Sequence, residues 1–597
     1  MGDWFSDTKV SPEEAEAMRQ KVLAGADAAG AGKDGDTLWE YEGPDSVRTP
    51  TRRSPLVFRN GGAASSQPLA TSIGLQLLLK GANAAEAAIG VSAGLAVTEA
   101  CQCGLGGDMF CLYYDAKTKK VSAINGSGRS PADLSLEKLR EDCPNGPDDW
   151  KFSAHAVTTP GAARGWEDLL KRHGSGNFTL AELLEPAAKL AEEGFPVAPI
   201  TSHNWTKGHA MIRRWYSEEE QKAGKVPLSV DGLNPPGPGD IVKNPDVAFV
   251  LRELGAKGAD EGFYKGFAGK AIVEAIQKHG GVMTMQDLDD CKSTFDDPIS
   301  VQYRNVKLWE VPPNGQGIAA LIGLKGLEAL GDPSEVALGS ADYYHRMIEM
   351  MRLGFADNRA HVGDIDHMKV TPEALIDTER LQNRAKKYFD PEKAAIQGAP
   401  DVSSCTVSFQ VVDKEGNAIS FVNSNFMGFG TGIVPEGCGF TLQNRGFGMK
   451  MDGDEAHPNF YAPSKRPYHT ILPGMLTYAE TDELYATISN MGGNMQPQGH
   501  VQLTVGMIDA GLDPQAAIDM PRFCISDGTQ GGQVLMEKEV SPAVVRELVR
   551  RGHVVQNNVD SHARAIFGKA QIIRKDPNTG VYWAGSEGRA DGCAMGY

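Results

Sequence analysis

From Val407 to Val412 apolar and polar residues alternate, with Val407, Phe409 and Val411 on one side and Ser408 and Gln410 on the other. That period of two predicts a strand, and the turn-forming Asp413–Gly416 ("DKEG") closes it before a second strand at 418–423. Further strands are predicted at Val306–Val311 ("VKLWEV"), 485–489 and 570–573. Elsewhere the period changes. Leu69, Ile73 and Leu77 recur at helical spacing, and a small-residue helix follows from Ala84 to Ala96. "FCLYYDAKTKKVSAINGSG" reads as a strand, a turn at Ala116–Lys120 and another strand. Helical segments dominate from about 160 to 290 and from 317 to 390, and the final third returns to strands. Helices and strands mixed throughout, with hairpin signals, predict antiparallel sheets covered by helices.

Composition narrows the class. The 597 residues are 41% hydrophobic and 23% charged, as in ordinary soluble proteins. A formal net charge of −18 argues against a nucleic-acid partner, because phosphate binding needs clustered Lys and Arg. No signal-peptide core or membrane-length apolar run is evident, which predicts a cytoplasmic chain without a membrane partner. Residues 1–57 read as an N-terminal extension, with Asp7 or Ser11 capping a short helix. The nine cysteines lack regular spacing, and Cys101-x-Cys103 has no second pair, so no metal or cofactor is expected.

Three stretches carry candidate chemistry. Gly90-Val91-Ser92-Ala93-Gly94 matches a nucleophile elbow, but that motif needs a strand before the serine, and "GANAAEAAI" is helical. Ser92 is therefore expected inside a helix. Gly104–Gly107 ("GLGG") has no Gly-Lys-Ser/Thr after it and reads as a glycine turn. Ser403, Ser404, Cys405 and Thr406 stand together at the head of the 407–412 strand, and each is chemically able to be a nucleophile.

The continuation favours one of them. Thr406-x-x-x-x-Val411-Val412-Asp413-Lys414-x-Gly416-Asn417 is followed by "FGTGIV", "KRP", Gly492-Gly493 and a closing "MGY". Earlier come "SSQPLA", "GLGGDMF" and "PGAARGW". In this order the motifs resemble the γ-glutamyltransferase family of N-terminal nucleophile (Ntn) hydrolases over Gly61–Tyr597, nearest its branch of oxamate amidohydrolase and acylase-like members. The resemblance implies a four-layer αββα sandwich. It also implies a precursor cut between Cys405 and Thr406 into a large subunit, 58–405, and a small catalytic subunit, 406–597. A homodimer of such heterodimers is one assembly it leaves open. Thr406 would be the nucleophile, Ser424 its supporting hydroxyl, and Gly492 and Gly493 the oxyanion-hole glycines. The freed α-amine, with a pKa near ~8, would take the hydroxyl proton, so no Ser-His-Asp triad is required.

The departures from the family bear on substrate. Where its members hold a glutamyl group with an Arg-Glu pair, this chain has Ser127-Gly128, with Arg129 displaced by two. His469 and Thr470 replace two serines, Phe426 an asparagine, Arg445 a glutamine and Gly448 an aspartate. The ammonium partner is thus missing and an arginine has appeared. Arg445, with Arg129, His469 and Thr470, is expected to hold an anionic acyl group. Hydrolysis of a glutathione-like γ-glutamyl compound is the family default, an oxamate-like or dicarboxylic monoamide the alternative. A non-catalytic small-acid-binding protein on the same fold is a rival that would not process itself.

Overall fold

The computed structural model describes residues 17, 20, 53–395, 405–528 and 532–597, with only the backbone of Cys405. Most of the expected N-terminal extension, its helix caps, Ser403 and Ser404 lie outside the described residues.

Two antiparallel sheets form the centre. Their strands, in chain order, are β1 (Leu56–Phe58), β2 (Gly62–Ser65), β3 (Asp108–Asp115), β4 (Lys120–Gly126), β5 (Ile299–Tyr303), β6 (Val306–Glu310), β7 (Cys405–Val412), β8 (Ala418–Phe426), β9 (Pro473–Tyr478), β10 (Leu484–Met491), β11 (Lys569–Lys575), β12 (Tyr582–Ser586) and β13 (Cys593–Gly596). The seven-stranded sheet runs β1-β12-β11-β10-β9-β6-β5 and the six-stranded sheet β13-β2-β7-β8-β3-β4. Phe110, Leu112, Val412, Val422, Leu472, Met475 and Ile573 form an apolar layer between them.

Helices close both outer faces. Pro68–Leu79, Ala84–Thr98 and Leu180–Glu193 share a core with Val407, Phe409 and Val411 of β7. Ile318–Ala329, Ala341–His361 and Met495–Ile508 share another with Leu308, Leu476, Ile488 and Ile572 of the seven-stranded sheet. The result is the expected αββα sandwich. The alternation in β7 now has its cause: odd residues enter the helical layer, while Gln410 on the other face donates to Ser489 Oγ of β10 at 2.6 Å.

The helix Ala84–Thr98 explains the false elbow. Asn83 and Glu86 cap its start reciprocally, and every residue of it is buried. A Cβ on Gly90 would sit 2.3 Å from Leu77 Cδ1, and one on Gly94 3.1 Å from Ala70 Cα. The two glycines therefore allow close helix packing, and Ser92 is an interior helical residue, as expected. Strands β1, β2 and β13 have no counterpart in the period-two pattern. "LVF", "GAAS" and "CAMG" are too short and small to alternate, and their pairing comes from the sheets that receive them. β1 pairs Leu56 with Ala584, so the sheet already begins at Leu56.

Candidate active site

Thr406 sits one residue inside β7, fully buried. Its neighbour β8 pairs regularly until Asn423 faces Val407, and then Phe426 faces Cys405, leaving Ser424 and Asn425 opposite Thr406. This is a β-bulge, which re-aims side chains where a ladder would otherwise be regular. It brings Ser424 Oγ to 3.1 Å from Thr406 Oγ1, and the Phe426 N–H donates to the same Ser424 Oγ at 2.9 Å. Phe426 takes the left-handed conformation, φ 72°, to complete the turn. Thr406 and Ser424 are thus held together.

Phe426 also connects the bulge to a charge. The Arg445 guanidinium lies 4.0 Å from the centre of its ring, an attractive cation–π arrangement, and Arg445 Nη1 donates to Thr470 Oγ1 at 2.9 Å. Arg445 is 1% exposed, and its Nη2 makes no hydrogen bond with the protein. Phe426, Tyr468, Thr470, Gly493 and Asn494 are among the walls of a cleft of about 290 Å3. Gly492 and Gly493 follow β10 with φ of 129° and 57°, a backbone region that favours glycine. Their amides donate to no acceptor among the described residues. One residue outside the sequence-based candidates fixes this corner. Gln316 Nε2 donates to Thr470 O at 2.6 Å and to Gly493 O at 2.9 Å, and its Oε1 accepts from the Tyr468 hydroxyl at 3.0 Å.

The other two expected binding residues are engaged elsewhere. Arg129 pairs with Asp364 at 2.9 Å and donates to Ser464 O, with its side chain 41% exposed. His469 is fully buried against Phe110, and its Nε2 lies 3.1 Å from Asp108 Oδ2 while its Nδ1 accepts the Ile471 N–H. Burial, with Arg445 and Arg466 nearby, holds the His469 pKa well below its usual value, so this contact is a hydrogen bond from a neutral ring. Asp108 opens β3 and also accepts the amides of Gly128 and Gly161. Burial raises its pKa to about 6, against the pull of Arg445 and those amides. Burial likewise lowers Arg445 to about 9, opposed by Asp108, and leaves it cationic at neutral pH.

Asp108 and Gln316 went unseen in the sequence. The available signals were an acid directly after "GLGG" and a glutamine between two glycines ahead of an apolar helix. Neither points to a partner more than 150 residues away. Among the described residues no helix is long and apolar enough to cross a membrane.

Residues 70–597 match the Gamma-glutamyltranspeptidase family. The chain is 32% identical to the glutathione hydrolase-like YwrD proenzyme of Bacillus subtilis (strain 168), over 88% of this chain and 97% of that one. It is 29% identical to the oxamate amidohydrolase proenzyme of Klebsiella pneumoniae, over 91% and 100%. The cephalosporin acylase structure from Bacillus halodurans superposes with a TM-score of 0.83 at 36% identity, covering 93% of this chain and 99% of that one. The chain therefore belongs to the γ-glutamyltranspeptidase family and is an enzyme of the threonine-nucleophile Ntn-hydrolase type.

Proposed function

We propose that this chain is a self-processing amidohydrolase whose substrate carries a carboxylate on its acyl part and needs no α-ammonium group. In maturation Thr406 Oγ1 attacks the Cys405 carbonyl carbon, the peptide C–N bond breaks, and the hydroxyl proton ends on the Thr406 nitrogen. Water cleaves the resulting ester, leaving a large subunit ending at Cys405 and a small subunit 406–597. In turnover the free Thr406 amine takes the hydroxyl proton, Oγ1 attacks the substrate carbonyl, and the proton passes to the leaving amine. Ser424 positions the hydroxyl, and the Gly492 and Gly493 amides receive the oxyanion; losing one such donor costs about 3–4 kcal/mol of barrier. Water then hydrolyses the acyl-threonine.

The substrate preference rests on Arg445. A buried cation with one nitrogen unpartnered, fixed directly behind Thr470 and Phe426 of the cleft wall, matches a carboxylate of the incoming acyl group. Relatives named for cephalosporin acylase and oxamate amidohydrolase agree with such a group. A second reading, hydrolysis of γ-glutamyl compounds, is favoured by Asp452, a carboxylate lining the same cleft, and by the glutathione hydrolase relatives. Asp452 is 69% exposed and 3.9 Å from Arg140, which makes it the weaker ammonium partner.

Two measurements test this. Intact mass and N-terminal sequencing should find a fragment beginning Thr406-Val407-Ser408 in wild type and none in Thr406→Ala. One uncut chain in both sinks the mechanism, and a fragment starting at Ser404 or Cys405 reassigns the nucleophile. Glutaryl and γ-glutamyl anilides differ only by the α-ammonium. The glutaryl compound should have the higher kcat/KM, and the reverse order would establish the second reading.

A further inference from the structure

Outside the cleft, among the described residues, one group of side chains has the composition of a metal site. His345 and Glu349 stand four residues apart on the helix Ala341–His361, so both project from one face, and His553 comes from the turn after the helix Pro542–Arg550. All three are at most 2% exposed, and one ligand atom from each lies within 4.8 Å of the others. His345 Nδ1 and His553 Nε2 are 2.7 Å apart.

The surrounding hydrogen bonds leave lone pairs facing inward. His345 Nε2 is 2.8 Å from the Asp390 carbonyl oxygen, so it carries the proton and Nδ1 is left as a lone pair. Glu349 Oε2 accepts the Ala395 N–H at 2.8 Å, while Oε1 has no hydrogen-bond partner. His553 Nδ1 is also unpartnered, 3.9 Å from that same Oε1. With His553 Nε2 as the ligand nitrogen its proton sits on Nδ1, and the two imidazole lone pairs then face each other across 2.7 Å, which is costly unless a proton or a cation lies between them. Imidazole donating its far N–H to a backbone carbonyl, and carboxylate fixed by a backbone amide, is the outer arrangement that ordinarily orients metal ligands.

We propose that His345, Glu349 and His553 bind a divalent transition ion of the zinc class and so fasten the segment Asp390–Ala395, which leads in sequence to Cys405. Two imidazoles and one carboxylate are a donor set zinc accepts, with a fourth position for water. Nitrogens on a tetrahedral zinc stand roughly 3.3 Å apart, so the two rings need to part by about 0.6 Å. The neighbouring cations have partners of their own. Arg551 pairs with Asp342 and Glu547, and Arg352 donates to Gly532 O and lies 3.7 Å from Glu349 Oε1. The ion would act on structure: His345 and Glu349 hold both ends of the 390–395 segment, and the Arg551 carbonyl accepts Ala394 N–H between them.

The test uses the untagged full-length chain, stripped with chelator, reloaded with zinc ion alone and desalted. Wild type should retain one zinc per chain by elemental analysis, and cobalt(II) in its place should give tetrahedral visible bands. Glu349→Gln, nearly isosteric, and His553→Gln should weaken zinc binding at least about ten-fold and abolish those bands. Circular dichroism decides whether each variant is folded, and Glu349→Gln is the decisive one if His553→Gln is not. Wild type that keeps no zinc, or a folded Glu349→Gln that keeps as much as wild type, overturns the proposal.

Discussion

Arg445 is a buried cation behind the Phe426 and Thr470 wall of the cleft, set among a neutral ring, a hydroxyl and the carboxylate of Asp108. Arg445→Met keeps an apolar stem against Phe426 and removes the charge. Charge-assisted hydrogen bonds contribute about 1.5–3 kcal/mol, so KM for a glutaryl amide should rise roughly 10- to 150-fold, with kcat changed less. An unchanged KM would remove Arg445 from substrate binding. Asp108 gives a pH signature of defined sign. Its carboxyl has a pKa of about 6 in the fold against 3.8 when free in solution, so between the two the folded chain holds a proton that the unfolded chain has lost. Its contribution to stability therefore falls as pH rises from about 4 to 6 and is constant above, a change of up to about 3 kcal/mol. Thermal midpoints of wild type relative to Asp108→Asn should converge or diverge across that window alone, the wild type losing ground as pH rises; a constant difference would refute the shift. Motif order singled out Arg445, Thr470, Ser424 and Thr406 in the sequence, and the fold joins them in two contacts, Arg445 to Thr470 and Thr406 to Ser424. The pairing of Arg129 with Asp364 and of His469 with Asp108 was not legible there, because each partner is supplied by a distant strand or loop.

At the scale of elements, β8 shows what sequence periodicity records and what it omits. Alternation in β7 was readable because its two faces meet different layers, helix on one side and the other sheet on the opposite side. The bulge at Ser424–Asn425 was not, since it exists only in the pairing of β8 with β7. The same holds for β1, β2 and β13, which are strands because a neighbour offers an edge. Ser424 Oγ joins the two levels: it accepts the Phe426 N–H that closes the bulge and touches the Thr406 hydroxyl. Ser424→Ala leaves a buried amide without its acceptor, which costs about 1–3 kcal/mol. The expected result is a lower melting temperature together with slower appearance of the Thr406-initiated fragment. Wild-type processing in a destabilised variant would confine Ser424 to a structural role.

Across the whole molecule, the proposed cut does not fall between two bodies. In the seven-stranded sheet β12, β11, β10 and β9 come from after Thr406, and β1, β6 and β5 from before it. In the six-stranded sheet β2 lies between β13 and β7, and β8 pairs with β3. Backbone ladders therefore cross the cut at β1–β12, β9–β6, β13–β2, β2–β7 and β8–β3. Tyr597 is tied across it too: its O accepts the amides of Arg59 and Asn60, and its N donates to Gly61 O. The apolar cores are shared in the same way, with Val407 and Phe409 packed among Ile89, Val91 and Leu95. Separating the fragments would expose these cores and unpair both sheets, which amounts to unfolding. Cleavage should thus free the Thr406 amine without freeing a subunit. On size-exclusion chromatography the two fragments should elute together in native buffer at equal stoichiometry, even at high salt, and part only in denaturant. A small fragment that elutes alone in native buffer would contradict the interleaved sheets.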